Sequence, residues 1–123
     1  MTIIEAINKI DALKHNTFSK EDKIGWLSTL DGIIKKEIID THEGYEKVTF
    51  NCYDESTPNN TELLVPAPYE DIYIKWLEAQ IDYHTGEIGK YSNSMIMYNS
   101  AYSAFERHYN RANMPLGKSF KYF

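Results

Sequence analysis

The chain has 123 residues, of which 42% are hydrophobic and 25% charged, with a formal net charge of −5. That length fits one globular domain burying about two thirds of its unfolded surface. The acidic balance offers no summed positive field to a phosphate backbone, which disfavours sequence-specific nucleic-acid binding.

The first residues, MTIIEAINKIDALK, lack the basic start and long apolar stretch of a signal peptide, and no segment approaches ~18 consecutive apolar residues. Thr2 and Glu5 have capping-box spacing. Ile3, Ile7, Ile10 and Leu13 share one helical face, so a first helix is predicted from about Ile3 to Lys14. Ser19 caps a second, with Glu21 and Asp22 at its positive end and Ile24, Leu27, Leu30, Ile34 and Ile38 as the buried stripe. Gly44 lies beyond its end.

From Glu46 the period becomes two. Val48, Phe50 and Cys52 face one way and Lys47, Thr49, Asn51 and Tyr53 the other, as in a half-buried strand. After the polar loop Asp54–Glu62, Leu63–Val65 supplies a short returning strand. Such a β-hairpin is marginal alone and leans on helices or on another chain. Pro68 suits the start of a third helix, whose apolar stripes leave Asp71, Lys75, Glu78 and Asp82 as its wet face.

Thr85-Gly86 is a tight turn that makes a fourth helix, Glu87 to about Ala112, antiparallel to the third. Along it Ile88, Tyr91, Met95, Tyr98, Tyr102, Phe105 and Tyr109 alternate at intervals of three and four, which keeps one stripe facing a partner helix. The fourth helix outlasts the third by some 15 Å at ~1.5 Å per residue, so its far end needs another partner. The predicted fold is mainly α: a four-helix domain over residues 1–115, with a long antiparallel C-terminal helical hairpin, a small β-hairpin between helices 2 and 3, and a tail over 116–123.

The chemistry-bearing residues do not assemble into a motif. Cys52 is the only cysteine, so neither an internal disulfide nor a thiolate metal cluster can form, and its apolar neighbours suggest an inert buried thiol in a reducing setting. His15, His42, His84 and His108 are too scattered for a metal site and read as solvated or capping groups. Glu37 and Asp40 have the i, i+3 spacing of an all-α Mg²⁺-dependent nucleotide pyrophosphohydrolase, but the third helix offers Glu78 and Asp82 at four. Gly117-Lys118-Ser119 lacks both the upstream glycine and the preceding strand of a phosphate loop. No enzymatic activity, cofactor or metal is expected.

The stretch VPAPYEDIYIKWLEAQIDYHTGEIGKYSNSMIMYNSAYSAFERHYNR, preceded by DKIGWLSTLDGIIKKEIIDTHEGYE, resembles the head-tail connector (adaptor, neck) proteins of tailed bacteriophages and prophages. The resemblance covers roughly Glu21 to Pro115 and is one of overall pattern. It implies a structural virion subunit, made in the host cytoplasm, that forms a ring, commonly twelvefold, beneath the portal. Such a ring contacts portal and tail proteins and lets DNA pass without specific binding; no membrane is involved. A non-catalytic helical interaction module, such as a phage regulator or assembly chaperone, is the alternative reading.

Ten Tyr, five Phe and two Trp supply the side chains enriched where proteins meet, although a core role accounts for most aromatic residues. The candidate interface comprises what the helical hairpin leaves uncovered: Phe105 and Tyr109 at its far end, Val48 and Phe50 on the strand, and Phe120, Tyr122 and Phe123 in the tail.

Overall fold

A computed structural model describes residues 1–116; the tail residues Phe120, Tyr122 and Phe123 lie outside them. The chain forms four α-helices, α1 (Ile3–Leu13), α2 (Lys20–Glu37), α3 (Asp71–His84) and α4 (Ile88–Ala112). Short 3-10 turns at Ile39–Thr41 and Tyr45–Lys47 follow α2.

Local chemistry sets the helix ends. Thr2 accepts from the Glu5 amide at 3.2 Å while the Glu5 carboxylate accepts from the Thr2 amide at 2.8 Å, a complete capping box. Ser19 caps α2 through the Asp22 amide at 3.1 Å. At the α3–α4 turn Gly86 adopts φ +80°. There the Glu87 amide donates to Asp82 O and the Gly86 amide to Tyr83 O, the paired bonds that close a helix on a left-handed glycine.

Helix α3 is the centre of the molecule. It packs against α1, α2 and, most extensively, α4, and it buries Ile72, Tyr73, Ile74, Leu77, Ala79 and Ile81. Asp82, expected on a wet face, is also fully buried. Lys14, at the end of α1, donates to it at 2.5 Å and Ser94 of α4 at 2.6 Å. Two neighbouring helices thus supply the donors that make a buried carboxylate tolerable. Helix α3 begins at Asp71, after turns through Pro66–Glu70 closed by i→i+3 bonds, so Pro68 precedes the helix instead of opening it.

The seam of α4 faces the body through Tyr98 and Phe105, both buried, with Met95, Tyr102 and Tyr109 partly so. Ile88, just past the turn, is 64% exposed, because α3 has already ended. The far end of α4 is covered within the chain. Tyr69 stacks on His108 with centroids 4.6 Å apart and approaches Phe105 at 6.1 Å. His42 meets Tyr109 edge-on at 4.8 Å. His42 is therefore buried and not solvated, its Nδ1 lying 2.6 Å from Ile38 O and its Nε2 2.6 Å from Asn110 Oδ1. Beyond α4 the chain turns back: Glu43 N–H donates to Met114 O and Leu116 N–H to Thr41 O.

No sheet forms among the described residues, so the expected β-hairpin is absent; only isolated bridges, Thr2 with Glu62 and His42 with Pro115, occur. The reason lies in where the amides go. Val48 N–H closes the preceding 3-10 turn on Tyr45 O, and Leu63 N–H donates to Met1 O. Tyr53 N–H donates to Ser28 Oγ, Leu64 N–H to Asp31 Oδ2 and Val65 N–H to Tyr73 Oη. The second arm spends its amides on the amino terminus and helix side chains and the first is held at its two ends, so the arms do not pair with each other.

Candidate interaction surfaces

Asp31 is the anchor of the long connection between α2 and α3. It stands on the inner face of α2, 0% exposed, and accepts from Tyr53 Oη and Tyr73 Oη, each at 2.6 Å, and from Leu64 N–H at 3.1 Å. Among the described residues no cation contacts it. Burial pushes its carboxyl above the ordinary range, while the three hydrogen bonds pull the other way. The same burial, with the neighbouring carboxylate, drives Tyr53 and Tyr73 far above the usual phenol range. Both phenols therefore stay protonated as donors.

This anchoring lays residues 49–54 and 56–64 along α2 with an open groove of about 510 Å³ between them. Phe50 packs on the surface of α2, its ring 3.6 Å from where a β-carbon on Gly32 would sit, and meets Tyr53 edge-on at 5.2 Å. Val48 and Phe50 are partly buried. Cys52 is exposed, not buried as its apolar neighbours suggest, because Tyr53 is the residue turned inward onto Ser28 and Asp31. In the groove lining, Asp54 accepts from Ser56 N–H at 2.8 Å and Ser56 Oγ at 2.6 Å, which holds its carboxyl below the usual range.

A second surface is the outer face of α4. Between Lys90 and Glu106 lie fifteen residues, Tyr91 to Phe105, without a charge. Their outward side presents Ser92, Asn93, Asn99 and Ser100 around Ile96 and Met97, which are 64% and 52% exposed. In a chain one quarter charged, a free helix face would ordinarily carry lysines and glutamates. At its edge Tyr98, raised to about 12 by burial and by Glu37, and Tyr102, which donates to Glu37 at 3.1 Å, tie α4 to α2.

The structure separates the residues singled out from sequence. Phe105, 1% exposed, is part of the chain's own core, and Tyr109 is half covered by His42 and Phe105. Phe50 belongs to the groove wall, and Val48 packs partly buried against the core. The carboxylates with metal-like spacing are engaged elsewhere: Asp40 with Lys35, Glu37 with Tyr102, Glu78 near Lys75 and Asp82 with Lys14. Among the described residues no group of three or more His, Cys, Asp or Glu converges as a metal site. No helix described is long and apolar enough to cross a membrane. No known protein family, curated protein or solved structure matches the chain.

Two features escaped the sequence reading although their signals were present. Asp31 falls on the series Ile24, Leu27, Asp31, Ile34, Ile38, whose spacings of three and four mark a buried stripe, so a carboxylate there requires donors. The uncharged run in α4 is visible by inspection, but only the fold shows that half of it faces outward.

Proposed function

We propose that this chain is a structural adaptor of a tailed-phage head-tail junction. It assembles into a ring beneath the portal, joins head to tail in the virion neck, and leaves an opening through which DNA passes. The observation that carries this reading is the outer face of α4, uncharged from Tyr91 to Phe105, with Ile96 and Met97 exposed at its centre. A face of that composition, flat and free of long charged side chains, suits close approach of another copy. Repetition of one heterologous contact closes a ring when its rotation allows. The net charge of −5 fits a conduit, since a lumen that bound phosphates tightly would retard DNA.

Two measurements test this. Native mass analysis of the purified chain, alone and with portal protein, is expected to show a ring or a portal-bound ring. Ile96→Glu with Met97→Glu, both exposed and so tolerated by the fold, is expected to leave monomers with unchanged helical content. A wild-type chain that remains monomeric alone and beside portal protein overturns the adaptor reading.

A further inference from the structure

The groove beside α2 has an unpaired backbone along one wall. The amides of Thr49, Phe50, Asn51 and Cys52 find no hydrogen-bond partner among the described residues, whereas the opposite wall spends its amides on Met1, Asp31 and its own turn. A run of free amides and carbonyls beside an apolar surface is a template for an added strand. The groove is also acidic. Asp54 and Glu62 line it, Glu55 stands on the adjoining lip, and neither lining includes a lysine or arginine. Among the described residues the Met1 ammonium touches it, shared between Glu62 at 3.2 Å and Glu70 at 2.8 Å, and Lys20 reaches Asn59 of the same wall at 2.6 Å.

The seven residues after Leu116, GKSFKYF, have the complementary character. Lys118 and Lys121 are their only charged side chains, and from Ser119 to Tyr122 polar and aromatic residues alternate with the period of a strand. We propose that residues 117–123 of one copy add as a strand to the 49–52 edge of a second copy. Phe120 and Tyr122 then lie toward Phe50, and the two lysines offset Glu55 and Glu62. This rests on the reading of the chain as a self-assembling subunit and adds to the α4 face a second contact between its copies.

Reach favours a second copy over the chain's own tail. Leu116 is tied to Thr41, past the C-terminal end of α2, whereas Phe50 lies over Gly32, five residues inside that end, so the helical part of the separation alone is about 8 Å. At no more than ~3.5 Å per residue, that stretch by itself consumes more than two of the seven tail residues before the groove is reached. A neighbour's tail suffers no such loss. Each copy gives a strand and receives one, a head-to-tail contact of the kind that closes rings.

The exposed Cys52 makes the contact testable in the full-length chain. Under mild oxidation, Ser119→Cys is expected to give covalent trimers and larger species. Mass spectrometry should identify in them an interchain bond between Cys52 and the cysteine introduced at position 119. A parallel charge exchange uses the full chain without crosslinking. Glu55→Lys/Glu62→Lys and Lys118→Glu/Lys121→Glu are each expected to raise the half-assembly concentration about tenfold. An equimolar mixture of the two is expected to restore wild-type assembly, because each tail then meets an oppositely charged groove. An exclusively intrachain 52–119 bond, or rescue only when both pairs are reversed in one chain, overturns docking on a second copy in favour of the chain's own tail. If the wild type assembles, no 52–119 bond forms and the reversals have no effect, the groove is not the docking site and the adaptor reading stands. A wild type monomeric at every concentration overturns both.

Discussion

Replacing Asp31 with alanine removes the acceptor for three donors at once: Tyr53 Oη, Tyr73 Oη and Leu64 N–H. Each buried donor left without a partner costs about 1–3 kcal/mol. Tyr53, at 8% exposed, reaches water more readily than Tyr73 at 0%, so its share lies at the low end. Against this, the variant is relieved of a desolvated carboxylate whose raised pKa records a real penalty. The net expected loss is about 3 kcal/mol, against the roughly 6–18 kcal/mol usual for a chain of this length. Urea unfolding followed by circular dichroism should show a midpoint about 2 M lower at an m-value near 1.5 kcal/mol per M. Because Asp31 holds the connection rather than the helices, hydrogen exchange at the Leu64 and Val65 amides should accelerate more than exchange within α3. A loss below 1 kcal/mol with both amides still protected would refute the view that this carboxylate anchors the connection.

Two further outcomes follow from the buried charges. A folded-state pKa raised above the unfolded value contributes stability that is fully present below about 3.9 and lost as pH rises through the folded value. The stability difference between wild type and Asp31→Asn should therefore be most favourable to wild type at the acid end and shrink toward neutrality; urea titrations at three pH values check the sign, and a difference that grows with pH contradicts it. Lys14→Met strands the Asp82 carboxylate with Ser94 as its remaining donor and should cost about 3 kcal/mol in thermal unfolding. Adding Asp82→Asn should recover much of that, and no recovery would mean that packing, not charge, is what Lys14 supplies.

Much of the helical framework was legible because its signals are local. The capping box at Thr2 and Glu5, the Ser19 cap and Gly86 each act within one turn of the chain, and they stand where the sequence places them. Side-chain fates that depend on a distant element were not legible. Lys23 is buried because Asp11 and Phe18 O come within 2.7 and 3.0 Å of its ammonium. Likewise, His42 is buried because Asn110 and Tyr109 arrive from the other end of the chain.

The sequence by itself determined four helices, the N-terminal caps of α1 and α2, the turn that folds α4 back on α3, and the stripe by which they pack, since periodicity and capping are consequences of backbone geometry within a few residues. The alternation over Val48–Tyr53 predicts a hairpin with Leu63–Val65 that does not form. Period two records only that alternate residues meet different surroundings, and a strand is one way to satisfy that. Tertiary structure decided the matter by bringing Ser28, Asp31 and Tyr73 to the amides of Tyr53, Leu64 and Val65. Hydrogen-bond partners that lie eight to thirty-three positions apart exist only once α2 and α3 are packed. Among the described residues, the far end of α4 is covered by its own chain, while the uncharged face of α4 and the groove beside α2 stay open.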